Sequence, residues 1–328
     1  MTRPSATARS LLQRLALLLI LLVAGALPAA AQDYPTHAIR MIVPYTAGGA
    51  SDVIARAIAQ KMDQRLRQAV VVENKPGGNS IVGTSAALAA PHDGYTLLLA
   101  NAAVMTPTFV KAPPFDSLKD LDPVIAVLGA SYGVIVNADS PYRTLREFIA
   151  YGKANPGKLN GAASTASSML FLELFKSLAG VDIVRVDYKG SAPAFAALLA
   201  KDVQVTLDNP VPFRQHLDSG KLRVLAIASG KRIDALPDVP TLTEAGLPGF
   251  DEGRPATGFW VAAGSPTAAV LKLNGAIDEA LKQPDILQRI AALGAYPIGG
   301  RPETLRELAR AEAAFWANAA RVAHFTPD

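Results

Sequence analysis

Short apolar runs alternate along the chain with stretches in which apolar residues recur every three or four positions. Residues 39–43 form one run, and Ile54, Ile58 and Met62 then share one face of a helix predicted over residues 51–66. The remaining runs predict strands at 69–73, 96–100, 124–128, 133–137, 183–188, 203–208, 223–229 and 258–262. Strands that alternate with helices of about 10–15 residues indicate an α/β fold with largely parallel sheets.

Several helix starts are marked by a Thr that is followed three residues later by a Glu, the capping-box spacing in which both side chains bind orphan N–H groups. The spacing occurs at Thr144–Glu147, Thr241–Glu244 and Thr304–Glu307. The first is predicted to open a helix that ends near residue 155, and the third a long helix toward Arg321. Further helices are predicted near 81–89, 167–178 and 193–199.

Two turn-rich segments, residues 129–133 and 249–255, are the expected crossings between two sheets. Two crossings make one domain discontinuous. We therefore predict a first lobe from residues 32–132 and 254–328, and a second lobe from residues 133–253.

Residues 1–31 have the pattern of a secretory signal peptide. They contain three arginines and no acid, an unbroken apolar run from Leu15 to Ala24, and three alanines ending at Ala31. The apolar stretch is shorter than the roughly 17–25 residues of a membrane-spanning helix. Cleavage near Ala31 is expected.

Removal of this segment changes what the charge indicates. The loss of three arginines lowers the formal net charge from +4 to +1, so the pI of 9.2 no longer favours a nucleic-acid partner. The chain has no cysteine, which excludes thiolate catalysis, thiolate metal ligation and disulfides. Its four histidines have no metal or triad spacing, and no catalytic or phosphate-binding motif occurs. We predict no enzyme activity, metal site or cofactor.

Candidate chemistry lies in the loop after the first predicted strand. Its candidate residues are Tyr45, Thr46, Ala47, Gly48, Gly49, Ser51 and Asp52. The two glycines allow close approach of a ligand, with a positive φ possible at Gly49, and Ser51 can cap the next helix. The N–H groups at that helix start can bind an anion, whereas Asp52 faces either the loop or a donor on the ligand. Alone, the loop also fits an ordinary strand–turn–helix connection.

Four more polar segments follow predicted strands. One is the loop 160–169, with Ala163, Ser164, Thr165 and Ser168; the others contain Asn101 and Ala102, Tyr188, and Asp208. Because open α/β sheets bind ligands at the carboxyl ends of their strands, these segments together predict a cleft lined by amides and hydroxyls.

The ordered motifs PYTAGGASD, ENKPG, DGYTLL, ANPGKL, YKG and LPDVPT make residues 34–320 resemble the substrate-binding family of tripartite tricarboxylate transporters, also called Bug receptors. The resemblance implies a periplasmic binding protein of type II-like fold, with two lobes of mixed, mainly parallel sheet and a hinge. It implies capture of a small organic acid for a transporter with two integral-membrane subunits. Residues 46–52 and 163–168 would grip carboxylates, and Asn101, Ala102 and Asp208 would line the same cleft.

Departures from the family pattern bear on the ligand. Ala162, Ala163 and Ala166 stand where the family usually has small polar residues or glycine, Met169 lies near an expected His, and the loop 101–106 (NAAVMT) is rather apolar. We hypothesise that the ligand carries a carboxylate at one end and an apolar or aromatic body, although di- and tricarboxylates remain open. A receptor that presents its ligand to a sensor kinase is the alternative. An exported serine hydrolase is the remote one, because no His falls near the candidate serines.

Overall fold

The computed structural model describes residues 34–78, 80–101, 114–251 and 255–325. Residues from His37 onward form one compact unit, which contains two mixed sheets flanked by helices. No helix within the described ranges is both long and apolar enough to span a membrane.

The first sheet has six strands in the order β11-β4-β10-β3-β1-β2. Parallel pairing joins β1 to β2 and to β3, whereas β10 and β11 pair antiparallel with their neighbours. Its strands are β1 (Ile39–Val43), β2 (Val70–Asn74), β3 (Thr96–Asn101), β4 (Leu121–Ala130), β10 (Ala256–Ala262) and β11 (Ala295–Gly299).

The second sheet has five strands in the order β7-β6-β8-β5-β9. Here β6 pairs parallel with β7 and β8, and β5 pairs antiparallel with β8 and β9. The strands are β5 (Tyr132–Asn137), β6 (Leu159–Ala163), β7 (Ile183–Asp187), β8 (Val205–Asp208) and β9 (Leu222–Ala228). Both sheets therefore place three parallel strands beside an inserted antiparallel strand, and the parallel share is smaller than predicted.

Helices connect and cover these strands. They are α1 (Ala50–Leu66), α2 (Ile81–Leu88), α3 (Ser117–Asp120), α4 (Leu145–Ala154), α5 (Ala166–Ala179), α6 (Ser191–Ala200), α7 (Arg214–Asp218), α8 (Thr267–Leu281), α9 (Pro284–Ala292) and α10 (Pro302–Val322), with a 3₁₀ turn at Val211–Phe213. The predicted box at Thr144 and Glu147 caps α4. Thr241 and Glu244 form the same pair of bonds around a turn without a helix.

The C-terminal helix begins earlier than predicted. α10 starts at Pro302 after Arg301, so Thr304 lies inside its first turn and does not cap it. Proline fits the first helical position because its fixed φ is helical and its missing N–H has no partner there. The proline at residue 302 therefore sets the start of α10, and the Thr304–Glu307 spacing does not.

The chain passes between the sheets beside α10. It leaves the first sheet at Ser131, between β4 and β5, and returns between Phe250, in the second core, and Ala256 in β10. The first half of α10 packs on the first sheet, whereas its second half packs with the aromatic core of the second. One helix thus contacts both sheets where the chain crosses between them.

Candidate ligand-binding site

The predicted loops lie at the carboxyl ends of parallel strands in both sheets. Because β1 and β3 are parallel, the loop after Val43 and residue Asn101 share one edge of the first sheet. In the second sheet, the parallel strands β6, β7 and β8 bring Ser164, Tyr188 and Asp208 to one edge. The Tyr188 amide donates to the carbonyl oxygen of Ala163 at 2.8 Å. Ala102 lies outside the described residues.

Backbone geometry in the first loop corrects the roles assigned to Gly49 and Ser51. Gly48 has a φ of +79°, whereas Gly49 is extended with a φ of −75° and is the N-cap of α1. The positive φ therefore belongs to Gly48. Ser51 is the second residue of α1 and does not cap it. Thr46 and Ala47 are exposed beside this turn.

The Asp52 carboxylate faces its own loop. It accepts hydrogen bonds from the Gly48 amide at 2.8 Å, Arg56 Nε at 3.0 Å and Asn74 Nδ2 at 2.9 Å. The bond from Arg56 is the largest cause that lowers the pKa of Asp52, to about 2, against the opposing effect of burial. Asp52 is ionised at neutral pH and holds the turn against α1.

This bonding keeps the first turn of α1 available for an anion. Amides at a helix start have no intrahelical acceptor, and they carry the positive end of the helix dipole. The negative charge of Asp52 partly offsets the positive end of this dipole. Arg56 neutralises the Asp52 carboxylate through an ion pair, and the Arg56 side chain itself is half exposed. The Ala50, Ser51 and Asp52 amides are thus suited to hold a carboxylate.

The second loop is shorter than predicted, because residues 160–163 belong to β6. Sequence reasoning missed this strand since Gly161, Ala162 and Ala163 have weak strand propensity. Packing decides it: a Cβ at Gly161 would lie 2.9 Å from side-chain atoms of both Ile183 and Leu172. Only Ser164 and Thr165 remain between β6 and α5, and Thr165 caps α5 by accepting from the Ser168 amide at 3.1 Å.

Ser164 in this loop and Ser168 in the first turn of α5 donate their hydroxyl protons to protein acceptors. Ser164 Oγ donates to Asp208 Oδ2 at 2.6 Å, and Ser168 Oγ donates to the Leu207 carbonyl at 2.7 Å. Both bonds are buried and tie the loop to the end of β8. A carboxylate at this loop would therefore be held by the amides at the start of α5 and by Thr165, since each serine has only one proton to donate.

Asp208 is a buried carboxyl group, with 4% of its surface exposed. Burial is the largest influence and raises its pKa, whereas Ser164, Ser191 and the Asn209 amide oppose the rise. The Asn209 amide donates to Oδ1 at 2.7 Å. Among the causes of this shift there is no lysine or arginine, so the described residues give Asp208 no cationic partner.

Two tyrosines connect the loops to the crossing region. The Tyr45 phenol lies beside the Ser80 side chain and the Asn101 backbone, and burial raises its pKa. Tyr132, at the first crossing, reaches the side chains of Thr165 and Ser167; burial and then the charge of Asp208 raise its pKa. Sequence reasoning missed Tyr132, because a tyrosine at the start of a strand is read as core.

Glu312 on α10 lies close enough to influence both phenols. Its side chain is buried, accepts from the Ala256 amide at 3.3 Å and from Trp316 Nε1 at 3.2 Å, and burial raises its pKa to about 8. No sequence signal marks it, because a lone Glu on a helix is usually solvated. The described residues contain no cluster of three metal-ligating side chains.

Known proteins match the chain over most of its length. The model of the tripartite tricarboxylate transporter family receptor matches residues 54–319. The periplasmic binding protein BugD is 32% identical, with a TM-score of 0.73 over 90% of this chain and 100% of its own. An R. palustris protein with adipate is 31% identical, with a TM-score of 0.76 over 90% and 100%. MatC from Rhodopseudomonas palustris with bound malate is 29% identical, with a TM-score of 0.72 over 87% and 99%.

Proposed function

The chain belongs to the tripartite tricarboxylate transporter receptor family, and from this premise we propose that it captures a small organic acid in the periplasm and delivers it to a two-subunit membrane transporter. Residues 1–31 direct its export and are cleaved near Ala31. The proposed lobes are 32–132 with 254–328, and 133–253, and the ligand binds between them.

One observation carries this proposal: in each sheet a loop at the carboxyl end of a strand leads into a helix, residues 44–49 in the first sheet and residues 164–165 in the second, and the first turn of each helix offers amides to an anion. In the first sheet these are the amides that follow Gly49, and in the second those that follow Thr165. Charge-assisted bonds from backbone amides can hold a carboxylate without an arginine, which agrees with the near-neutral mature chain.

The hypothesis of an apolar ligand body loses part of its support. Ala162 and Ala163 are buried strand residues, and Ala162 packs in the core beside Phe195. Their small size reflects packing in β6. What remains is the apolar segment that follows Asn101, which lies outside the described residues.

Thermal unfolding with a panel of acids tests the proposal. The panel contains adipate, malate, citrate, aspartate and phenylpropionate, with glucose as the uncharged control. We expect at least one acid to raise the Tm in a concentration-dependent way, since a ligand that binds the folded state stabilises it. If no acid stabilises the protein, the proposal is contradicted. If only citrate or aspartate stabilises it, the proposed function stands and only the hypothesis of an apolar ligand body is contradicted.

A ligand-presenting role toward a sensor kinase would use the same cleft, so it is separated by uptake. If deletion of the gene abolishes uptake of the bound acid, transport is supported; intact uptake with loss of an acid-induced transcriptional response supports signalling. Turnover of a model ester by the purified protein would revive the hydrolase alternative.

A further inference from the structure

The loop before α5 presents hydrogen-bond acceptors beside the amides that would hold a carboxylate. A serine hydroxyl has one proton and two lone pairs. Since Ser164 donates its proton to Asp208 at 2.6 Å, its oxygen can only accept a further bond. Ser164 precedes Thr165, the N-cap of α5, so this acceptor lies one residue from the helix start.

Asp208 adds a buried carboxyl group beside this acceptor, bonded to Ser164 Oγ at 2.6 Å and to the Asn209 amide at 2.7 Å. All three of its described protein partners are neutral donors: the Ser164 and Ser191 side chains and the Asn209 amide. A buried carboxylate without a cation is costly, and a second carboxylate brought close to it would be repelled. A donor group placed between the two would satisfy both.

We infer that Ser164 and Asp208 form an acceptor pair that selects carboxylic acids with a hydrogen-bond donor, an ammonium or a hydroxyl group, on the carbon next to the carboxylate. This inference rests on the proposed function. We place the donor on the adjacent carbon because Ser164 directly precedes Thr165, the N-cap of α5. The selection holds for ligands with polar or apolar bodies, because it concerns only the end bound at α5.

Calorimetry with two matched series tests the selection. The first series is succinate, malate and aspartate; the second is 3-phenylpropionate, 3-phenyllactate and phenylalanine. In the series that binds, we expect the hydroxy and amino acids to bind at least tenfold more tightly than the plain acid. An amino acid that binds more tightly than the hydroxy acid would indicate that the charge of Asp208 adds to the selection.

Two variants separate selection from folding. Asp208→Asn replaces the carboxyl group with an amide, and Ser164→Ala removes the hydroxyl acceptor, so both should reduce the ratio of donor-bearing to plain acid affinity by about tenfold. Ser177→Ala, at an exposed serine of α5, should leave the ratio unchanged.

The outcomes separate a failure of the proposed function from a failure of the selection at Ser164 and Asp208. If none of the six acids binds, the inference is overturned; the proposed function fails as well only if no acid of the thermal-unfolding panel stabilises the protein. If plain acids bind as tightly as their donor-bearing counterparts, or if the variants weaken every acid equally, only the inference is overturned.

Discussion

Individual side chains near the site owe their roles to backbone geometry that composition does not reveal. Gly48 and Gly49 are equivalent in sequence, yet only Gly48 has a positive φ. Asp52 looks like a ligand contact, but three protein donors bind its carboxylate. The residue types of the loop could be predicted; the partner of each could not, because partners such as Asn74 come from a distant strand.

The two glycines offer a matched comparison. We expect Gly48→Val to weaken acid binding at least tenfold, because a β-branched residue is strained at a φ of +79° and the turn would shift. Gly49→Ala should keep most of the affinity, because a Cβ there would lie 3.4 Å from the Thr46 carbonyl oxygen and 4.0 Å from Thr46 Oγ1, which are ordinary contacts. Titration calorimetry measures both, and equal losses would contradict the assignment.

Asp52 predicts a pH-dependent contribution to stability. Its pKa is about 2 in the folded protein and 3.8 ordinarily, so Asp52→Ala should lower the free energy of unfolding by about 2 kcal/mol at pH 7. The difference should shrink as the pH falls from about 4 to about 2. Denaturant unfolding measures it, with the exposed Asp139→Ala as the control. A difference that stays constant over this range would count against the assignment.

At the scale of elements, those with a strong hydrophobic periodicity could be predicted from the sequence, whereas those that form because of tertiary packing could not. The strands and helices of residues 39–101 and 132–154 could be predicted within a few residues. The small-residue strand β6 could not, and neither could the edge strand β11, which contains Pro297. An edge strand tolerates proline because one side of its backbone needs no partner. Helices α8 and α9 were also missed.

Two threonines with the same spacing should differ in their contribution to stability. Thr144 caps α4 in a complete capping box, so Thr144→Ala should lower the free energy of unfolding by about 1 kcal/mol. Thr304 lies within the first turn of α10, and Thr304→Ala should change stability by much less. Equal effects in denaturant unfolding would mean that the cap geometry has no energetic weight.

At the scale of the molecule, α10 and the two crossings join the sheets. Turn composition placed the crossings near Ser131 and before Ala256, but not the helix that packs beside them. A side-chain network follows this helix: Glu312 binds the Ala256 amide and Trp316, and Trp316 packs edge-on against Phe171 at 5.0 Å. Burial of a carboxyl group at this junction makes stability sensitive to pH.

Glu312 predicts the direction of that sensitivity. Its pKa is about 8 in the folded protein and 4.5 ordinarily, so the folded state keeps a proton that the unfolded state releases between these values. This group therefore lowers the free energy of unfolding as the pH rises from about 4.5 to about 8, by up to about 1.4 kcal/mol per unit. Glu312→Gln should remove this slope, whereas the exposed Glu307→Gln should not. Parallel pH curves for Glu312→Gln and the unaltered protein would contradict the prediction.

Hydrogen exchange of backbone amides tests the central claim most directly. With the acid that raises the Tm most, the amides of residues 50–52 and of residues 166 and 167 should become protected together, because one ligand engages both helix starts. Protection confined to one loop, or protection only elsewhere in the chain, would contradict capture between the two sheets.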